Sequence, residues 1–145
     1  MKTLGIDPGL SGGIALLDSQ EGPQVWRMPA TETDLWDIIV GAHADAAWIE
    51  KVSSSPQMGV TSAFTFGRGY GSLLMALTAC GVPFTEVLPR KWQAAVGLVY
   101  PKGSTPVQKK NLGKRRSQQL FPSLDVKLWG ADALLIAHFG LTNPA

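Results

Sequence analysis

Residues 3–18, TLGIDPGLSGGIALLD, contain two short apolar runs separated by a Pro-Gly pair and a Gly-Gly pair. Apolar runs of this length are typical of buried strands, and the glycines and proline between them favour a tight turn. The stretch therefore predicts a β-hairpin with strands at 2–7 and 12–18. Asp7 closes the first run, which places its carboxylate at the edge of the predicted sheet.

The Asp7 carboxylate has three possible roles at this point of a hairpin. It can hold a metal against the phosphates of a nucleotide, hold a metal against a nucleic-acid phosphate, or cap the turn. Actin- and hexokinase-type ATPases begin with a similar hairpin, but they need two lobes and a second phosphate hairpin. The 145 residues predict a single domain over 1–145, which argues against the ATPase role.

The composition predicts a globular chain in a reducing compartment. Hydrophobic residues make up 45% of the sequence, enough for a sizeable core, and no uninterrupted apolar span is long enough to cross a membrane. The N-terminal residues do not resemble a signal peptide. The single cysteine, Cys80, cannot form an internal disulfide, and no Cys/His cluster has zinc spacing. We therefore expect a cytoplasmic protein.

The net charge of +2 conceals a basic block between Val87 and Leu124. The block contains no acidic residue and eight basic ones: Arg90, Lys91, Lys102, Lys109, Lys110, Lys114, Arg115 and Arg116. Such a block favours an anionic partner, of which nucleic acid is the usual one. The alternative is a solvated basic face with no partner.

The remaining chain continues with a strand and then alternates helices with strands. We predict a strand at 24–28, a helix capped by Thr31, a strand at 45–52, a helix at 59–79, a strand at 84–89, a basic helix at 105–121 and an apolar helix at 130–140. This order predicts an α/β fold with a mixed five-stranded central sheet flanked by helices. It resembles the element order of ribonuclease H-like folds.

Three carboxylates stand among apolar or small residues: Asp7 in GIDPG, Glu50 in WIEKV and Asp132 in GADALL. Buried acids are costly unless they are paired or bind a cation. Asp7 and Glu50 end predicted strands, and Asp132 is expected in the first turn of its helix, where the dipole favours a negative charge. Converging at one sheet edge, they would suit Mg²⁺ or Mn²⁺. The alternative is three unrelated roles, namely a turn cap, a salt bridge and a helix N-terminus.

Four segments together resemble RuvC-type Holliday-junction resolvases, particularly their compact phage-type relatives. In chain order they are GIDPGLSGGIALL, WIEKV…FTFGRGYGSLL, LPRKW and LFP…GADALLIA. The resemblance implies a ribonuclease H-like fold, a homodimer and paired symmetric nicks in a four-way DNA junction. It also implies two Mg²⁺ ions per active site, with Mn²⁺ as a substitute, and a bacterial or phage-infected bacterial cell. By the same resemblance, Asp7, Glu50 and Asp132 are metal ligands.

The sequence departs from this family at the fourth metal ligand. The family has an Asp or His three or four residues before its last carboxylate, where this chain has Trp129 and Leu128, and neither binds a hard cation. Asp125 is our candidate substitute, and His138 is a weaker one. Without a fourth ligand the chain would be a catalytically weak or inactive junction-binding protein.

Residues 59–79 carry small residues at every fourth position: Gly59, Ala63, Gly67 and Gly71. On a helix these form one bare stripe, which predicts close approach by the sheet, a second subunit or a phosphate strand. The resemblance places this helix at the dimer interface and near DNA, with Arg68 and Tyr70 as DNA contacts. Met58 is the one candidate for a base-stacking wedge in the preceding loop. We expect Phe64 and Phe66 in the core.

The basic helix carries the remaining candidates by resemblance. Lys110 falls on the family's lysine and is expected to hold the scissile phosphate or stabilise its developing charge. Further phosphate contacts are expected from Lys91, Lys109, Lys114, Arg115 and Arg116. Trp92 is expected to be packed rather than stacked on a base. A nuclease of the same fold acting on RNA or an RNA–DNA hybrid remains an alternative.

Overall fold

Five strands form one mixed sheet in the computed structural model, which describes residues 1–144. The strands are β1 (Lys2–Asp7), β2 (Gly13–Asp18), β3 (Gln24–Arg27), β4 (Ala46–Glu50) and β5 (Phe84–Val87). Their order across the sheet is β3-β2-β1-β4-β5. The first three pair antiparallel as a meander, and β4 and β5 join in parallel. The predicted fold class is therefore confirmed.

Five helices connect and cover the strands. They are α1 (Glu32–Ala42), α2 (Val60–Ala79), α3 (Pro89–Ala95), α4 (Pro106–Leu120) and α5 (Leu128–Thr142). Thr31 caps α1 as predicted, because its side chain accepts a hydrogen bond from the Asp34 backbone N–H. Helix α3 was not predicted, since seven residues are too few to show a helical period. Within residues 1–144, no helix has both the length and the apolar character needed to cross a membrane.

Helix α5 begins two residues earlier than the sequence predicts. Asp132 is consequently its fifth residue, and the first turn contains no acidic side chain. The expectation that Asp132 lies in the first turn is therefore wrong. Because the dipole effect falls off within that turn, the dipole of α5 does not account for the position of Asp132.

The two faces of the sheet are covered by different helices. Leu4 and Ile6 of β1 point into a core shared with α1 and α2. The alternate residues of β1 point to the opposite face, where α5 lies across β1 and β2. Gly5 makes this approach possible, because a Cβ at that position would lie 2.2 Å from the backbone nitrogen of Ala137. Helix α5 therefore lies with its backbone directly on β1.

Candidate active site

Asp7 and Glu50 end two neighbouring parallel strands. Ile6 of β1 is in register with Ile49 of β4, so the two carboxylates follow at adjacent positions on the carboxyl edge of the sheet. Asp7 shares a face with Gly5, which contacts α5, and Glu50 shares that face with Trp48. The strands thus direct both carboxylates toward α5, the helix that carries the third.

Asp132 completes a group of carboxylates that repel one another. Asp7 is only 8% exposed, and burial together with the charge of Asp132 raises its pKa to about 7, with a smaller contribution from Glu50. Burial also raises the pKa of Glu50 and of Asp132. The structure therefore brings the three predicted carboxylates into one site, where their negative charges repel one another.

The group fits a hard divalent cation by its chemistry, since all its donors are carboxylate oxygens. The three negative charges are buried and repel one another, and a bound cation would offset that repulsion. Within residues 1–144, however, no three Asp, Glu, His or Cys side chains are already arranged to hold a metal ion. The carboxylates thus share a site without forming a closed ligand sphere.

Lys110 is the cation that α4 brings to the group. Its Nζ lies 3.6 Å from Oδ2 of Asp132, and its side chain is half exposed. Its charge lowers the pKa of all three carboxylates and so opposes the effect of burial. Helix α4 comes close because Gly113 faces Asp132, and a Cβ there would lie 3.0 Å from Oδ1. Lys110 therefore lies beside Asp132, and its side chain is half exposed to solvent.

Two aromatic residues of the segment between β5 and α4 also reach this group. Trp92 is fully buried, as expected, and its Nε1–H donates a hydrogen bond to Oε2 of Glu50 at 2.8 Å. Tyr100 packs against the core cluster that contains Trp92. Burial and the charges of Asp132 and Glu50 raise its pKa to about 12. Sequence reasoning missed the Trp92–Glu50 hydrogen bond and the position of Tyr100 near these charges, because no spacing pattern links an aromatic side chain to a particular carboxylate.

Neither candidate for a fourth ligand joins the carboxylates. Asp125 is exposed and ion-paired with Lys127, which lowers its pKa, so the expectation that it reaches the site is wrong. It lies in the turn before α5 rather than on the helix that carries Asp132. His138 instead packs edge-to-face on Phe121, with 6.1 Å between ring centroids.

Trp129 occupies the place where the resemblance expects a ligand. The guanidinium carbon of Arg27 lies 5.4 Å from the centroid of its ring. Its backbone carbonyl packs on the β1–β2 hairpin, since a Cβ at Gly13 would lie 2.8 Å from that oxygen. Trp129 is thus a packing residue between α5 and the sheet.

The predicted phosphate contacts divide into two groups. Arg116 is tied to the protein, because its Nε donates to the backbone carbonyl of Val96 at 2.6 Å and its Nη1 donates to Gln119. Its guanidinium therefore joins α4 to the end of α3, which argues against the expected phosphate contact. The other basic candidates of this region are exposed or partly exposed: Lys91, Lys109, Lys110, Lys114 and Arg115.

Arg68 and Tyr70 on α2 each have a partner. Arg68 pairs with Glu32 at 3.3 Å, and both side chains are about two-thirds exposed, so the pair contributes little to stability. The Tyr70 hydroxyl donates to Glu86 at 2.7 Å. Arg68 can therefore exchange its partner for a phosphate at small cost.

The small-residue stripe of α2 does not pack on the sheet. A Cβ at Gly59, Gly67 or Gly71 would meet no atom within 4 Å, so packing against the sheet is excluded as the reason for the stripe. Phe64 beside it is 73% exposed, and the expectation that it is a core residue is wrong. The stripe face of this half of α2 is therefore open to solvent.

A cleft of about 700 Å³ separates this half of α2 from the β1–β2 hairpin. Met58 and Phe66 line it together with Gly9 and Met28, and Arg68 lies at the same cleft. Phe66 is only partly buried, since its ring faces Gly9 of the hairpin. The cleft begins at Pro8, one residue beyond Asp7.

We expect the metal-free protein to be more stable at pH 5 than at pH 8. The pKa of Asp7 is about 7 in the folded protein and near 4 in the unfolded chain. Between these values the folded state holds a proton that the unfolded state has released, so stability falls as pH rises from about 4 to 7. Asp7 alone should contribute about 3 kcal/mol to the difference between pH 5 and pH 8, and Glu50 and Asp132 act in the same direction.

Urea unfolding in EDTA at several pH values measures this effect. Asp7→Asn should flatten the profile, because the amide does not titrate. Mg²⁺ added at pH 8 should restore stability, because it binds only the folded state. A wild-type unfolding free energy that stays constant or rises from pH 5 to 8 would contradict the assignment.

Comparison with known proteins shows the fold. No family model matches the chain, and no curated protein matches it. Thermus thermophilus RuvC in complex with a Holliday junction substrate superposes with a TM-score of 0.69 at 17% identity, over 99% of this chain and 97% of that one. A second structure of RuvC from the same organism gives 0.60 at 18% identity, over 98% and 96%.

A viral protein shares the same architecture. Fowlpox virus resolvase, in complex with its Holliday junction DNA substrate, gives a TM-score of 0.51 at 11% identity, over 99% of both chains. The similarity to all three structures extends over nearly the whole chain. The chain therefore has the ribonuclease H-like fold of RuvC-type resolvases.

Proposed function

We propose that the chain is a structure-specific endonuclease that resolves four-way DNA junctions by paired symmetric nicks, in the cytoplasm of a bacterial or phage-infected cell. One observation carries the proposal: three crowded carboxylates lie beside Lys110 at the carboxyl edge of the sheet. The fold adds support, because two of the similar structures hold Holliday junction DNA.

Asp7, Glu50 and Asp132 would hold divalent metal, with two Mg²⁺ ions per site and Mn²⁺ as a substitute. When bound, such ions supply an activated water and stabilise the leaving oxygen of a phosphodiester. The half-exposed Lys110 ammonium would bind an oxygen of the scissile phosphate and stabilise the charge that develops there. Lys110 would exchange its contact with Asp132 for this phosphate contact.

The exposed basic side chains would hold the junction by its phosphates. Such contacts position the duplex arms without reading their sequence. Helix α4 would contribute Lys109, Lys114 and Arg115, and α3 would contribute Lys91. On α2, Arg68 would meet the DNA at the cleft that it lines, and Tyr70 is proposed as a second contact.

We propose that α2 forms a homodimer through its small-residue stripe. Gly67 and Gly71 lie inside the helix with open space around them, although a glycine in a helix interior costs about 1 kcal/mol relative to alanine. The absence of side chains at these glycines would allow a second copy of α2 to approach closely. It would also cover Phe64, whose ring is 73% exposed.

Gly67→Leu is expected to convert the dimer to a monomer without unfolding it. The new side chain enters open space in the monomer but blocks close approach of a second helix. Gly41→Leu is the matched control, because Gly41 lies on α1 and also has no atom within 4 Å of an added Cβ. Sedimentation velocity should show dimers for the wild type and for Gly41→Leu. A monomeric wild type, or a dimeric Gly67→Leu, would contradict the proposed interface.

The second candidate is a junction-binding protein without catalysis, and Trp129 favours it. This residue replaces the expected ligand and is held by packing and by Arg27. A cleavage assay on a synthetic four-way junction with Mg²⁺ or Mn²⁺ separates the candidates. Symmetric nicks support the resolvase, and tight binding without nicks supports the binding protein. Cleavage of an RNA–DNA hybrid alone would overturn both.

A further inference from the structure

The hydrogen bond between Trp92 and Glu50 joins the hydrophobic core to the carboxylate group. Trp92 is fully buried, and its indole ring packs with Val87, Val96 and Leu135. A buried indole N–H requires an acceptor, and here the acceptor is Oε2 of Glu50 at 2.8 Å. Because core side chains are closely packed, the ring holds that oxygen in a fixed place.

The two oxygens of Glu50 therefore differ. Oε2 receives the Trp92 hydrogen bond, whereas no hydrogen bond from residues 1–144 engages Oε1. Hydrogen bonds to a metal-binding carboxylate orient it and tune its affinity, and their loss typically costs ten- to a hundredfold in affinity. The hydrophobic core thus fixes Oε2 through Trp92, whereas Oε1 is available to bind a cation.

We propose that Trp92 is a positioning residue, which fixes Oε2 of Glu50 so that Oε1 faces the divalent ion. This inference rests on the proposed function, because it assigns Glu50 as a metal ligand. Trp92 touches neither the DNA nor the ion in this role. It acts only through the orientation of Glu50.

Trp92→Phe tests the role, because it keeps an aromatic ring and removes the donor. We expect its Mn²⁺ affinity, measured by electron paramagnetic resonance, to fall about tenfold. Cleavage should need correspondingly more metal, while the KM for the junction stays unchanged.

Trp48→Phe is the matched control. Trp48 belongs to the same core cluster, is 6% exposed and packs edge-to-face on Phe139 at 5.3 Å. Within residues 1–144 its indole nitrogen donates no hydrogen bond to a carboxylate. Its variant should lose comparable stability and keep the wild-type metal affinity.

Nuclear magnetic resonance provides a readout that does not depend on activity or on the folding of the Phe variants. The five tryptophans give five indole N–H signals, of which that of Trp92 should move on Mg²⁺ addition to the wild type. Glu50→Gln should move the same signal without metal. A Trp92 signal that responds to neither change would overturn the inference.

The outcomes separate the inference from the function on which it rests. If the wild type binds Mn²⁺ and cleaves, but Trp92→Phe has the affinity of Trp48→Phe, the inference fails and the proposed function stands. If the wild type binds no Mn²⁺, the proposed function fails and the inference with it. A tenfold loss confined to Trp92→Phe supports both.

Discussion

Asp7→Asn is expected to abolish cleavage of a four-way junction, with a loss of at least about 1000-fold, while junction binding remains. The metal is expected to contribute several kcal/mol of transition-state stabilisation, and each 1.36 kcal/mol is a factor of ten in rate. Asn keeps the size of Asp7 but removes its charge. Binding should persist because it depends on the basic side chains, which lie on other elements.

Glu50→Gln and Asp132→Asn should behave in the same way, since the three carboxylates form one group. Asp125→Asn is the matched control, because Asp125 is exposed and paired with Lys127, and it should cleave like the wild type. Single-turnover cleavage and gel-shift binding measured on the same junction give both quantities. Nicking retained by any of the three active-site variants would refute the assignment of that residue.

Gly5→Ala is expected to destabilise the fold by at least about 3 kcal/mol, at the upper end of the usual cost of overpacking. The added Cβ would lie 2.2 Å from the backbone nitrogen of Ala137 and 2.3 Å from the carbonyl oxygen of Ala133. Both are backbone atoms of α5 and cannot turn aside, so the helix has to move away from β1. The same movement would carry Asp132 away from Asp7 and impair the site.

Gly69→Ala is the control for this prediction. Gly69 lies within α2 and has no atom within 4 Å of an added Cβ, so alanine should stabilise the helix by up to about 1 kcal/mol. Urea unfolding followed by circular dichroism compares the two variants. A Gly5→Ala protein with the wild-type midpoint would contradict the close packing of α5 on β1.

The sequence was sufficient to predict the strands and the edge of the sheet at which the carboxylates of Asp7 and Glu50 lie. Apolar runs bounded by glycine and proline predicted the hairpin, and the helical crossovers predicted the parallel strands. Once β1 and β4 are parallel neighbours, Asp7 and Glu50 must lie side by side. These conclusions need only local pattern and the geometry of a sheet.

The site contacts that the sequence did not predict are formed between elements that are distant in sequence. The bond from Trp92 to Glu50 spans 42 residues, and no periodicity encodes it. Arg116 belongs to a basic helix by composition, yet the backbone carbonyl of Val96 binds its guanidinium. Phe64 has the side chain of a core residue, but α2 extends beyond the core at that point. In each case tertiary packing decides what residue type alone does not.

Asp7, Glu50 and Asp132 are expected to bind divalent metal together, beside Lys110. Anomalous diffraction from crystals soaked in Mn²⁺ tests this expectation most directly. We expect manganese peaks between these three carboxylates, with Oε1 of Glu50 as a ligand, and no peak there in Asp7→Asn crystals. Wild-type crystals with no manganese at the three carboxylates, or with manganese bound elsewhere in the protein, would contradict it.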